Sequence, residues 1–246
     1  MREVIGRLAF LAVVAASLPA PAGATEPVPS HYQALVDQLK QTENDRKGKG
    51  ALIDFRAIRY AYADSLDYDP YGTLVELHRV EMLHAYEHRD MQVALHEAQR
   101  VLERNYTDIG AHVIAELALT ELHQPDLARF HRMIARELLL SIFRTGEGTS
   151  PATAYQIVAV PEEYAVLNAR NVAFQNQTYE VIGGHHYDKI VVSDPVHGVS
   201  TLWFNVDRMM DWANHMFSPQ FRHLPAHGGP PDAGLAAATS MLSQSP

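Results

Sequence analysis

The chain has 246 residues, of which 47% are hydrophobic, with a formal net charge of −9 and no cysteine. Enough apolar surface is present to bury a sizeable core, which excludes wholesale disorder. The acidic balance argues against nucleic acid or an anionic membrane surface as a partner, because phosphate contacts need clustered Lys and Arg. Without cysteine, neither a disulfide nor a lipoprotein anchor is expected.

The N-terminal segment, residues 1–24, has the three parts of a secretory signal peptide. Arg2 and Arg7 supply positive charge, residues 8–18 form an apolar stretch too short to span a bilayer, and residues 22–24 (AGA) form a small-x-small cleavage site. We therefore predict removal of this segment and a soluble mature chain, periplasmic or secreted, without a transmembrane segment.

Helical periodicity dominates residues 51–145. A Pro-containing linker with a short helix precedes this region, over residues 25–50. In "ALIDFRAIRYAYADS", apolar residues recur at spacings of three and four, as on one face of a helix. Further helices are predicted at about 73–88, 91–104, 108–122 and 125–143.

The later helices carry a faint internal repeat. Ala94 precedes Ala128 by the same interval that separates His78 from His112. The interval matches the period of tetratricopeptide-like helical hairpins, about 34 residues, in which a small residue allows two helices to cross closely. An irregular helical bundle is the alternative, because the other signature positions are mostly missing.

After residue 150 the pattern becomes strand-like. The stretches "AYQIVAV", "VAFQNQTYEVI", "YDKIVVS" and "STLWFNV" are rich in β-branched and aromatic residues, and "GGHH" and "DPVHG" separate the last three as turns. "PEEYAVLNA" indicates a short helix and "DRMMDWANHMF" a closing one. We predict an α+β fold, in which tetratricopeptide-like helical hairpins precede a small, mostly antiparallel sheet over residues 146–217, followed by a disordered tail over 218–246.

The loop "RTGEGTSPATAY" joins the last long helix to the first strand. A phosphate-binding loop would need the strand first, the helix second and a Gly-Lys-Ser/Thr sequence, so that interpretation is disfavoured. We predict that Gly146 ends the helix in the left-handed conformation. For Glu147 we predict a surface turn, with a ligand carboxylate as the alternative.

Several segments of the chain resemble an uncharacterised bacterial family, the domain of unknown function 4919. The segments are "DFRAIRYAYADSLDYDPYG", "AHVIAELAL", "LLLSIFRTGEGTSPATAYQIVAVPEEYAVL", "HHYDKIVV" and "LWFNVD". They cover roughly residues 50 to 207, and the most specific part is Gly-x-Gly-Thr-Ser-Pro-x-x-Ala-Tyr followed by Glu-Glu-Tyr. The resemblance implies export and one module containing both the loop and the Glu-Glu-Tyr turn. Neither an activity nor a catalytic residue can be inferred from this resemblance.

Fourteen histidines raise the question of a metal site. Three sets have suitable spacing: Glu81 with His84 and His88, His112 with Glu116, and His185 with His186, Asp188 and His197. None of them completes a closed set with a clear fourth ligand. We therefore predict no metal and no cofactor.

The sequence contains no recognisable set of catalytic residues. The chain has no cysteine nucleophile and no Gly-x-Ser-x-Gly elbow. Glu162 and Glu163 are adjacent, so on a helix they point about 100° apart rather than facing each other as a glycosidase pair does. A tyrosine set either lines a groove for a sugar or peptide or closes a helix–turn junction: Tyr60, Tyr62, Tyr68 and Tyr71.

The function predicted from these patterns is a non-catalytic binding or assembly module of the cell envelope, because helical repeats form concave surfaces. Its partner is an unidentified protein or small molecule. The alternative is a hydrolase or metal-dependent enzyme with its site where the helices meet the sheet. The candidate ligand-binding residues are Glu147, Glu163, Tyr164, His185 and Asp188. The enzyme would use the same set without the tyrosine.

Overall fold

The structure, a computed structural model, describes residues 30–44, 53–194, 196 and 198–216. The predicted signal peptide and the predicted C-terminal tail lie outside these residues. The described elements are α1 (His31–Asn44), α2 (Phe55–Ala63), α3 (Glu76–Glu87), α4 (Met91–Arg104), α5 (Ile109–Glu121), α6 (Pro125–Phe143), β1 (Tyr155–Gln156), α7 (Val160–Ala169), β2 (Ala173–Ile182), β3 (His185–Asp194), β4 (Gly198–Asn205) and α8 (Asp207–Met216). This arrangement confirms the predicted α+β class and the predicted order of helices and strands.

The helical part contains two equivalent hairpins, α3–α4 and α5–α6, offset by the interval of the sequence repeat. The turns of the two hairpins have non-glycine residues with positive φ at the same position, Arg89 at 63° and His123 at 59°. In both turns the next amide bonds the carbonyl five residues earlier, at 2.9 and 2.8 Å. Ala94 and Ala128 are both buried in the second helix of their hairpins. The repeat is therefore present in the backbone, and its assignment as tetratricopeptide-like stays an interpretation.

The sheet has the strand order β1-β4-β3-β2, and the last three strands form the predicted antiparallel meander. β1 pairs in parallel with β4. Side chains alternate along β3, so Asp188, Ile190 and Val192 face one side of the sheet, where the two aliphatic side chains are fully buried. His185 and Tyr187 face the other side.

β1 is shorter than the predicted strand "AYQIVAV", because only Tyr155 and Gln156 are paired as a strand. The backbone amide of Val158 instead donates to the Glu162 carboxylate at 2.8 Å. Ala159 then becomes the residue that precedes α7. The strand ends early because its backbone is used to begin the next helix.

The loop after α6 differs from the prediction at Gly146. α6 ends with Arg144 in the right-handed conformation, and it is Gly148, not Gly146, that has a positive φ, of 70°. Gly146 is required for another reason: a Cβ atom there would lie 2.3 Å from the carbonyl oxygen of Thr153. Close approach of two backbone segments, rather than a helix cap, explains this glycine.

One contiguous apolar core joins the helices to the inner side of the sheet, with contributions from Ile58, Ile114, Leu138, Ile190 and Phe204. No helix in the described part of the chain is long and apolar enough to cross a membrane.

Candidate functional site

Glu162 belongs to a closed polar network between α2, α6 and α7. Nε and NH2 of Arg59 donate to the two oxygens of Glu162, each at 2.7 Å. Arg59 also donates to the Ser141 hydroxyl at 3.2 Å and to the Gln156 carbonyl at 2.9 Å. Arg59 was not predicted from the sequence, although its place four residues after Phe55, on the apolar face of α2, was an available signal. The Arg59–Glu162 ion pair has a structural role, since its guanidinium and its carboxylate are both hydrogen-bonded within the core.

Glu163, the next residue, is fully buried, and neither oxygen of its carboxyl group has a hydrogen-bond partner. The Asp188 carboxyl is its nearest polar influence and acts on its pKa through both charge and side-chain contact. Burial first, and then Asp188, raise the pKa of Glu163 well above its usual value. Burial also raises the pKa of Asp188, against the opposing influence of Glu163 and Gln177. These two acids therefore favour a state in which at least one of them is protonated.

Three tyrosines lie around Glu163 and Asp188, and the charge of these two carboxyl groups contributes to a raised pKa in two of the tyrosines. Burial, followed by Asp188 and Glu163, raises the pKa of Tyr71. Burial, followed by the same two carboxyl groups, raises the pKa of Tyr164 to about 12. Tyr179 lies directly opposite Asp188 in the β2–β3 register and is partly exposed. We call these five residues the acid cluster.

An open cavity of about 430 Å³ lies on the other side of the sheet. It is bounded by α2, the segment from 151 to 157, the hairpin end of β3 and the start of α8. Its lining is largely polar and includes Tyr60, Gln156, His185, Tyr187, Asn205 and Asp207. We call this the polar cavity.

Asp207 orients His185 at the mouth of the polar cavity. Oδ2 of Asp207 lies 2.8 Å from Nδ1 of His185 and accepts a second hydrogen bond, also of 2.8 Å, from the Asn205 amide. Oδ1 accepts from the backbone amide of His186 at 2.7 Å. Although partial burial opposes them, these hydrogen bonds lower the pKa of Asp207, which stays a carboxylate. Asp207 was missed because nothing in the sequence shows which residue the β3 hairpin end approaches.

The opposite wall of the polar cavity is also held by contacts of its own. The Tyr60 hydroxyl donates to the Gln156 side chain at 2.6 Å. The guanidinium of Arg208 lies 4.4 Å from the centre of the Tyr60 ring and is bonded to Asp64 at 2.8 Å. The polar groups of the cavity are thus positioned before any ligand arrives.

Three of the five residues predicted for the site come together, because Glu163, Tyr164 and Asp188 all belong to the acid cluster. His185 lies in the polar cavity, on the other side of the sheet. Glu147 joins neither site: its side chain is exposed, and its backbone amide donates to the Thr153 carbonyl at 3.0 Å. The residues of the enzyme hypothesis therefore do not share one pocket, and their role in binding a ligand stays a prediction.

Of the predicted tyrosine set, two residues close the helix–turn junction and two reach a candidate site. Tyr62 and Tyr68 are buried and meet edge to face, with ring centres 5.5 Å apart. Tyr60 lines the polar cavity, and Tyr71 lies in the acid cluster. The helix–turn junction is therefore closed by one pair, whereas a groove for a sugar or peptide stays a prediction for the other pair.

The histidine sets have other contacts. His84, in the last turn of α3, and His88, which follows the helix, have tilted rings with centres 4.1 Å apart. His197 lies outside the described residues. Among the residues that are described, no group of three or more His, Asp or Glu is arranged to hold a metal ion.

His112 is buried between the two helices of the second hairpin. Its Nδ1 lies 2.8 Å from Nδ1 of His131, and its Nε2 lies 3.0 Å from the Tyr106 carbonyl. The equivalent position of the first hairpin, one repeat earlier, holds His78 and Glu97, 2.6 Å apart. Burial lowers the pKa of His112 to about 3 and that of His131 to about 4. The second pair is therefore neutral at pH 7 and has a structural role.

Comparison with known protein families matches residues 26–215 to the family described as Domain of unknown function (DUF4919). The chain belongs to the DUF4919 family. This confirms the resemblance found in the sequence, and the matched region contains both the acid cluster and the polar cavity of this DUF4919 member. Comparison with curated proteins and with solved structures gave no match.

Proposed function

We propose that this DUF4919 member is an exported binding module of the cell envelope, and that it binds its ligand in the polar cavity. The observation that carries the proposal is His185, held by the Asp207 carboxylate in an open cavity of about 430 Å³. Cavities of this size are typical of small-molecule sites in which a few fixed polar groups provide specificity.

The polar groups indicate the chemistry of the ligand. His185 and Asp207 offer a ring nitrogen and a carboxylate, while Gln156 and Asn205 offer amides. A molecule with several hydroxyl or amide groups, such as a sugar or a short peptide, can pair with these donors and acceptors. The ligand class is therefore polar and rich in hydrogen-bonding groups.

Binding rather than catalysis is supported by how the hydroxyl groups of the cavity are used. The Thr145 hydroxyl donates to the Ile142 carbonyl at 2.6 Å and accepts from the backbone N–H of Gln156 at 2.9 Å. The Tyr60 hydroxyl is bonded to the Gln156 side chain. These hydroxyls are engaged in structural hydrogen bonds, whereas a nucleophile must be paired with its base.

A hydrolase is the second candidate, and the pairing of Asp207 with His185 is what favours it. A carboxylate that orients an imidazole is the arrangement of a general base, which could activate a water molecule. Turnover of nitrophenyl ester or glycoside substrates that is lost in His185→Ala would support this function over simple binding.

The experiment for the binding proposal is a chemical-shift titration of the isotope-labelled chain with monosaccharides and dipeptides. We expect perturbed signals to cluster at the polar cavity and to disappear in His185→Ala. His186→Ala is the matched control, because the neighbouring side chain faces the other side of the sheet and contacts Tyr179. Perturbations that persist in His185→Ala would contradict the assignment of the ligand site.

Export is supported by the signal-like order of the N-terminal segment, residues 1–24, and is tested separately. We expect the protein recovered from the periplasm or the medium to begin at Thr25 when its N-terminus is sequenced. A chain that begins at Met1 and stays in the cytoplasm would contradict export.

A further inference from the structure

We propose that the acid cluster is a second binding site, which accepts an organic cation that carries a primary ammonium or a guanidinium group. The cluster lies on the opposite side of the sheet from the polar cavity. This inference goes beyond the proposed function and does not depend on it.

Glu163 is the residue on which the site is built. It is 0% exposed, and both oxygens of its carboxyl group are without a hydrogen-bond partner. Burying such a group without a donor is costly, so a ligand that supplies donors and a positive charge would be bound strongly by it. The preceding residue of the same helix, Glu162, has such a partner, because the guanidinium of Arg59 neutralises its charge.

Among the described residues, no basic side chain forms an ion pair with Glu163. The groups that act on its pKa are carboxyls, those of Asp188 and Glu162, together with burial. Lys189 is the neighbour of Asp188 in β3, but its ammonium is bonded to Glu180 at 3.1 Å and faces the other side of the sheet. The acid cluster therefore presents carboxyl groups that no basic side chain of the described residues neutralises.

The walls of the cluster are aromatic, which favours an organic cation. Tyr71 and Tyr179 are 40% and 49% exposed, so these two rings connect the buried carboxyl group of Glu163 with the protein surface. Tyr164 lies deeper and packs against Phe174, with ring centres 6.5 Å apart. Aromatic faces attract alkylammonium and guanidinium groups, and they also pack against the attached methylene groups.

A hard metal ion fits the same cluster less well. Calcium takes six to eight oxygen ligands, and magnesium requires near-octahedral oxygen coordination. Glu163 and Asp188 provide only two carboxyl groups, and the other three members of the acid cluster are tyrosines. An ammonium group needs fewer ligands and is compatible with phenol rings, so it is the better match.

Binding of the cation should release a proton. The pKa of Glu163 is raised, so the free cluster keeps a proton to higher pH than an ordinary carboxyl does, and a bound cation stabilises the carboxylate. The titratable groups around Glu163 are Glu162 and Tyr164 on α7, Asp188 on β3, Tyr71 before α3, and Tyr179 on β2 with its hydrogen-bond partner His186. Proton release is a readout that non-specific binding of a salt would not produce.

The test uses the full chain and two probes, n-butylammonium and guanidinium, with n-butanol as the neutral control. Isothermal titration in two buffers of different ionisation enthalpy should show saturable binding of both probes with release of protons. Glu163→Gln should weaken binding by about tenfold or more, since it removes the charge and keeps the shape. Binding with equal affinity in Glu163→Gln, or no saturable binding of either cation, would overturn the proposal.

Two further variants keep the test decisive. Asp188→Asn removes the second carboxylate from a partly exposed position and should also weaken binding, which covers the case of a Glu163 variant that fails to fold. His185→Ala should leave the affinity for the probes unchanged, because it changes only the polar cavity. If His185→Ala abolishes binding, the cation occupies the polar cavity and the inference is wrong.

The cation has two possible sources, a free amine and a basic side chain of a peptide. Lysine as a free amino acid and lysine blocked at both ends as a peptide unit distinguish them. Tighter binding of the free amino acid supports the acid cluster as a small-molecule site, and tighter binding of the blocked form supports it as a site for a basic peptide. Failure of both to bind would contradict the inference.

Discussion

Glu162 and Glu163 are consecutive, buried residues of α7, yet only Glu162 is paired with a cation. Arg59 contacts both oxygens of Glu162 at 2.7 Å, whereas the oxygens of Glu163 have no hydrogen-bond partner. Consecutive side chains of a helix point about 100° apart, so one carboxyl reaches α2 and the other approaches Asp188 on β3. The same helix therefore carries one neutralised acid and one that is not.

We expect Glu163→Gln to stabilise the protein, and increasingly so as the pH rises. The pKa of Glu163 is higher in the folded state than in the unfolded state, so the folded state holds the extra proton between the two values. Stability is therefore lost as the pH rises through that window, and the variant avoids the loss. Urea denaturation should show no gain near pH 4 and a gain of about 1 kcal/mol or more at pH 8. Equal stability of the two proteins at pH 8 would contradict a buried, uncompensated carboxyl.

Glu162→Gln, at the adjacent position, should have the opposite effect. Removing one partner of a buried ion pair leaves the guanidinium of Arg59 uncompensated, and the typical cost is about 3 kcal/mol. Glu121→Gln is the matched control, because the Arg89–Glu121 pair is exposed and should change stability by less than ~0.5 kcal/mol. The free energy of unfolding of both variants at pH 7 checks this prediction, and a neutral Glu162→Gln would show that the pair is not structural.

Gly146→Ala should be strongly destabilising because of a clash, not because of backbone dihedral strain. The added Cβ would lie 2.3 Å from the Thr153 carbonyl oxygen, so we expect a loss of about 3 kcal/mol. Gly184→Ala separates the two causes, since Gly184 has a φ of 86° and open space around it and should lose only about 1 kcal/mol. Glu147→Ala should fall within ~0.5 kcal/mol, as is usual for an exposed residue. If Gly146→Ala is no worse than Gly184→Ala, the close approach does not matter for stability.

His131→Gln should make the protein less sensitive to acid. Burial lowers the pKa of His131 to about 4 and that of His112 to about 3, so the unfolded state binds protons between those values and about pH 6.5 while the folded state does not. Stability contributed by these groups is present above about pH 6.5 and is lost as the pH falls. The slope of unfolding free energy against pH between about 4 and 6.5 should decrease by about one proton in the variant. His96→Gln, at an exposed histidine, is the matched substitution, and an unchanged slope in His131→Gln would contradict the buried pair.

Local patterns predicted most of the elements, because periodicity and turn chemistry are properties of each segment by itself. The helices of the two hairpins and the three strands of the meander are where the sequence placed them. The prediction failed at β1 and Gly146, where a specific contact with a residue further along the chain decides the backbone conformation. Val158 donates its amide to the Glu162 side chain and Gly146 lies against the Thr153 carbonyl, and hydrophobic periodicity indicates neither contact.

The candidate site was predicted only in part, for a similar reason. Glu163, Tyr164 and Asp188 were all selected as site residues, but their meeting depends on how α7 packs on β3. Tyr179 and Asp207 were missed, since the first reaches Asp188 through the register of the β2–β3 pair and the second reaches His185 from the start of α8.

By itself, the sequence determined the order of the elements, the helical repeat, the membership in a family and the signal-like N-terminal segment. Only the tertiary structure decided which of two adjacent glutamates is neutralised and which is not. Arg59 lies 103 positions before Glu162, and only the packing of α2 against α7 brings them together. The side of the sheet on which His185 and Asp188 lie was likewise decided by the strand register, since a shift of one residue would exchange the two faces.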